Sequence, residues 1–72
     1  MALSMVRPGE TGKIIKIKGK DKIKNFLTSL GFVEGTEVTV ISELSGSMIL
    51  NIKNTRIALD KIMANRIIIS MC

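Results

Sequence analysis

Histidine, tryptophan and tyrosine are absent from these 72 residues, and cysteine and proline occur once each, as Cys72 and Pro8. Without an imidazole the chain has neither the commonest general base nor a histidine metal ligand, and one thiol cannot build a thiolate metal site. Cys72 cannot close an internal disulfide and has no histidine to activate it, so it reads as incidental rather than catalytic. Phe26 and Phe32 are the whole aromatic inventory. No apolar run approaches the ~20 residues of a membrane-spanning helix. The opening MALSMVRPGE reaches Arg7 and Pro8 too early for the apolar region of a signal peptide, so a cytoplasmic, unprocessed protein is expected.

Acidic residues are also few. Glu10, Asp21, Glu34, Glu37, Glu43 and Asp60 are the six carboxylates, scattered over turns, caps and strand faces, and no two are spaced as an acid-base pair. Gly9 and Gly12 lack the continuation of a phosphate-binding loop. These exclusions leave no enzyme, no cofactor and no metal site in the expectation. With 46% hydrophobic residues the chain is too apolar to be disordered, and its length suits one domain over 1–72. A chain this short buries only roughly 60% of the surface its unfolded form exposes, so the core must be simple.

The stretch Asp21 to Ile41 organises the rest. Ile23, Phe26, Leu27 and Leu30 recur at i, i+3, i+4 and i+7, which predicts a short helix over about 21–30 with those four on its apolar face. Asp21 can cap its start and Gly31 can end it in a left-handed conformation, with Phe32 folding back onto Leu27. Glu34-Gly35 then reads as a type II turn, because its third position needs the positive φ that glycine supplies. A strand follows over 36–41, with Val38 and Val40 on one face.

Elsewhere Arg7-Pro8-Gly9-Glu10 is a second type II turn signal and a strand is expected over 11–18, where the adjacent Ile14 and Ile15 imply a bulge or a strongly curved strand. Ser42 to Ser47 reads as a hairpin loop or splayed arm. Met48, Leu50 and Ile52 form one face of the next strand, Asn54-Thr55 is read as a two-residue hairpin turn, and Ile57 and Leu59 face inward on the return. Asp60 can cap a short helical turn near 61–64, and Ile67 to Ile69 closes the sheet. The prediction is mainly β: a small, partly open five-stranded barrel with one inserted helix.

Net charge is +5, and Lys13, Lys16, Lys18, Lys20, Lys22 and Lys24 lie within twelve residues containing one acid. Solvated lysines explain such a stripe; so would contact with nucleic acid, anionic lipid or an acidic protein patch. Nucleic acid is disfavoured because both phenylalanines are assigned to helix packing, leaving no stacking platform.

Taken in order, the chain resembles the FeoA family of small SH3-like proteins associated with bacterial ferrous-iron transport. The resemblance runs through Leu3-Ser4, Arg7-Pro8-Gly9, Gly12, Ile14 and Ile17, then LxxLGFVEGTEVTV from Leu27 to Val40. It resumes with Gly46, Ile49, Ile52, Arg56-Ile57-Ala58-Leu59, Ala64 and Ile67 to Ile69. Within it Pro8, Gly9, Gly12, Leu27, Leu30, Gly31, Gly35 and Leu59 have structural roles. Glu34 stands where the family usually has proline, and Glu43 to Met48 replaces a run resembling APLGDP.

The resemblance implies a cytoplasmic accessory protein that binds the cytosolic GTP-binding region of the FeoB permease and meets the membrane only through that partner. It carries a family-level association with transition metal ions, although this sequence offers no ligand set. The alternative is a free-standing regulatory or nucleic-acid-binding barrel related to the C-terminal domain of iron-dependent repressors. A weak homo-oligomer is a third reading. Leu44, Met48 and Arg56 are the candidate partner-binding residues: Leu44 and Met48 lie in or beside the expected 42–47 loop, and Arg56, on the outward face of the next strand, would add a charged rim contact. For Met48, strand alternation equally supports a place inside with Leu50 and Ile52.

Overall fold

Turn chemistry sets the topology. The computed structural model describes residues 1–71, and the reading of Cys72 lies outside them. Five antiparallel strands, β1 (Thr11–Ile17), β2 (Glu37–Leu44), β3 (Ser47–Ile52), β4 (Thr55–Asp60) and β5 (Ile67–Met71), form one unclosed sheet in the order β4-β3-β2-β1-β5. Helix α1 (Asp21–Ser29) joins β1 to β2, the four-residue α2 (Lys61–Ala64) joins β4 to β5, and a 3-10 turn (Leu3–Met5) precedes β1. The mainly β, SH3-like expectation is met.

Both type II turns are present, and each ties into a strand. Glu10 donates to the Arg7 carbonyl at 3.1 Å with Gly9 at φ 92°, while the Gly9 amide donates to Val40 at 2.7 Å. Thr36 donates to Val33 at 3.1 Å with Gly35 at φ 88°, and the Gly35 amide donates to Ile14 at 2.7 Å. The positive φ that makes glycine necessary thus also aims its amide into the sheet. β1 pairs with β2 over 11–13 and with β5 as far as Ile17, and its register slips between Ile14 and Lys16. That slip is the bulge implied by the paired isoleucines: Ile14 is buried and Ile15 is 51% exposed.

Three expectations about local structure are corrected. Ser42 to Leu44 is strand, not loop: a register slip between Val40 and Ser42 restores pairing, and Ser45-Gly46 alone makes the turn, both at positive φ. The next hairpin turns on Lys53 and Asn54, at φ 50° and 63°, so Thr55 already belongs to β4 opposite Ile52. Such two-residue turns need positive φ at both positions and match the twist of the flanking strands. Asp21 is the first helical residue rather than the cap; the N-cap is Lys20, which makes no side-chain capping bond. Asp60 does cap α2, its Oδ1 accepting from the Met63 amide at 2.8 Å.

Leu3, Val6, Ile14, Leu27, Phe32, Val38, Val40, Met48, Leu50, Ile52, Ile67 and Ile69 are the largest fully buried side chains of one continuous core. Ile23 and Leu30 pack on it at partial burial. Phe26, expected on the same helix face, is 51% exposed. It lies on the flank of the stripe defined by Ile23, Leu27 and Leu30, and a nine-residue helix presents only one side to the sheet.

Candidate partner-binding surface

Antiparallel partners point to the same side of a sheet, so register sorts the candidate residues by face. On β3 the buried Met48, Leu50 and Ile52 alternate with the half-buried Ser47, Ile49 and Asn51. The outward set extends through Ser47 to Leu44 and Asp60, through Ile49 to Ser42 and Ala58, and through Asn51 to Thr39 and Arg56. Leu44 and Arg56 therefore share the outer face of β2-β3-β4. They mark its two ends, since Arg56 lies four residues along β4 from Asp60, a distance of roughly 13 Å.

Met48 is on the other side. It is fully buried between Glu43 of β2 and Leu59 of β4, with no surface for a partner. Of the two readings of this residue, the structure takes the one given by strand alternation. Leu44 is 72% exposed at the hairpin tip.

Beside that tip, the Glu43 carboxylate meets the Lys61 ammonium at 2.9 Å, and the Lys61 amide donates to Gly46 at 3.0 Å. α2 is thereby held against the hairpin, and Ile62 on it is 74% exposed. Composition alone did not single out Ile62, because a four-residue helix gives no periodicity to read.

All six lysines of the basic stripe are exposed. Lys13 and Lys16 lie on the outer side of β1, opposite Ser70 and Ile68 of β5, while Lys22 and Lys24 lie on the exposed part of α1. Phe26, in the same helix, is the exposed aromatic and Phe32 is fully buried. One exposed ring is not the row of rings on which successive bases stack. Among the described residues no three carboxylate or thiol side chains converge as metal ligands.

The residues of the resemblance fall at structural positions. Pro8 and Gly9 form the first turn, Leu27, Leu30 and Gly31 the end of α1, Gly35 the second turn, and Leu59 lies in the core. Gly12 has a role beyond opening a strand. A Cβ there would stand 2.5 Å from Ile69 Cδ1 and 3.3 Å from the Ser70 carbonyl oxygen, so any side chain would have to push Ile69 aside where β1 meets β5.

A family model of the FeoA domain matches residues 1–71. The chain belongs to the FeoA family. Among solved structures, an iron uptake regulatory protein (FeoA) superposes with a TM-score of 0.94 at 26% identity, covering 100% of this chain and 96% of that one. The zinc-bound FeoA of Stenotrophomonas maltophilia, described as a prokaryotic SH3 domain protein, superposes with a TM-score of 0.85 at 25% identity, covering 97% and 89% of the two chains. A manganese-dependent transcriptional repressor bound to manganese contains the same fold, with a TM-score of 0.92 at 20% identity; the match spans 100% of this chain but 36% of the repressor. That likeness is one of fold alone. A search of curated proteins finds no match. Among the described residues no helix of this FeoA domain is long and apolar enough to cross a membrane.

Proposed function

We propose that this FeoA domain is a cytoplasmic accessory protein of ferrous iron transport, acting by docking on the cytosolic GTP-binding region of a FeoB-type permease rather than by catalysis. The observation that carries the reading is Leu44. An apolar side chain 72% exposed at the tip of a two-residue hairpin makes no contribution to the core, and apolar area left in water favours association when a partner covers it. Glu43-Lys61 and the Lys61-Gly46 backbone bond tie α2 to this hairpin, so the tip that carries Leu44 is pre-organised. Family membership supplies the identity of the partner. Arg56, at the far end of the same face, is a rim contact in this reading.

The test is binding of the purified full chain to an immobilised cytosolic region of the permease from the same genome. Leu44→Ser should melt with the parent and bind more weakly. Equal binding by parent and variant would remove this face from the proposal, and no binding by the parent would remove the partner.

A further inference from the structure

Lys18, Lys61, Ile62, Asn65 and Arg66 border an open cleft of about 940 Å³ at α2, lined also by the N-terminal segment and Ile68. Its lining contains no carboxylate. The Lys18 amide donates to the Arg66 carbonyl at 2.7 Å, which holds two cationic residues side by side. Lys61 is neutralised by Glu43, whereas Lys18 and Arg66 make no ion pair among the described residues. Arg66 Nε is buried and has no hydrogen-bond acceptor among those residues. A buried guanidinium N–H without a protein acceptor is uncommon, and it leaves the Arg66 guanidinium uncommitted to any acceptor among the described residues of its own chain.

We propose that this cleft binds an acidic peptide segment of a partner protein, with a carboxylate seated against Arg66 and Lys18. Charge complementarity selects an anion, and the planar guanidinium fork matches a carboxylate. Ser4 Oγ donates to Asn65 Oδ1 at 3.0 Å, which leaves the Asn65 amide nitrogen as a further donor. The apolar neighbours decide the class of ligand. Ile62 is 74% exposed and Ile68 half-buried in the same lining, so the occupant brings apolar side chains next to its acids. A mineral anion has no use for them, a bilayer surface is too flat to enter a cleft, and no aromatic lines it for a nucleobase. The volume suits a few peptide residues.

The experiment is a titration of the ¹⁵N-labelled full chain with the acetylated, amidated peptide EELEE, following the Arg66 Nε–H and Lys18 amide resonances. Both should shift saturably, and affinity should fall roughly tenfold or more in Arg66→Gln and in Lys18→Gln, each the loss of a charged hydrogen bond. The peptide KKLKK should produce no shift. An unmoved Arg66 resonance at millimolar EELEE overturns the proposal, as does undiminished binding by Lys18→Gln, a variant at an exposed position that tests the cleft even if Arg66→Gln fails to fold. Inorganic phosphate or phosphatidylserine vesicles moving the same resonances at equal or lower concentration would also overturn it, in favour of a small-anion or membrane site.

Discussion

The amide of Phe32 donates to the carbonyl of Leu27 at 3.0 Å, reaching back over Gly31, and both side chains are fully buried. With Gly31 donating to Thr28 at 2.9 Å and adopting φ 105°, this is a Schellman ending, in which a left-handed glycine turns the chain and an apolar contact seals it. The same bond pair that stops α1 therefore delivers Phe32 to the core.

Gly31→Val is expected to destabilise the fold by roughly 1 to 3 kcal/mol, because a β-branched residue is strained at that φ although no neighbour would clash with its Cβ. Urea unfolding monitored by circular dichroism measures it. Equal midpoints for variant and parent would remove the claim.

Gly12→Ala tests a different mechanism, close approach rather than φ. The added methyl would meet Ile69, itself 1% exposed, and would have to displace it within the core, so a loss of about 1 to 3 kcal/mol is expected. Shortening Ile69 to valine in the same chain removes the Cδ1 clash, and the double variant should recover part of the loss. Strict additivity of the two substitutions would show that they do not share a contact.

Leu44 and Met48 should separate cleanly, because neighbouring strands place them on opposite faces. Met48→Ala should cost about 2 to 5 kcal/mol as a core truncation. Leu44→Ser should leave the melting temperature within about 4 °C, as surface changes usually stay inside ±0.5 kcal/mol. Comparable thermal losses in both variants would place Leu44 in the core.

For ferrous iron, anaerobic calorimetry on the isolated chain should give no submicromolar 1:1 isotherm. Histidine is absent, and carboxylates without soft ligands hold such ions weakly. A tight stoichiometric isotherm would reverse this expectation.

Elements with local signals are legible in the amino-acid sequence alone. Arg7-Pro8-Gly9-Glu10 and Glu34-Gly35 specify turns through the φ values of proline and glycine. Leu30-Gly31-Phe32 specifies a helix end, Asp60 a cap, and the alternation of Met48, Leu50 and Ile52 a strand face. Each depends on the backbone of a few adjacent residues, which local sequence controls. The motif order from Leu3 to Ile69 carried the family for the same reason.

Other features depend on contacts between residues far apart in the chain. Ser42 to Leu44 looks like loop because its residues are polar or exposed, yet pairing with β3 after the slip at Ile41 makes it strand and reduces the expected docking loop to a two-residue turn. Gly12 reveals its constraint only when Ile69, 57 positions away, is brought against it. Phe26 fits the helical period but falls outside the sector that meets the sheet. Ile62 and Arg66 gain meaning from the hairpin and from Lys18. In all of these the determining neighbour is distant in the chain, and the energy that places it comes from strand register and core packing rather than from local backbone preference.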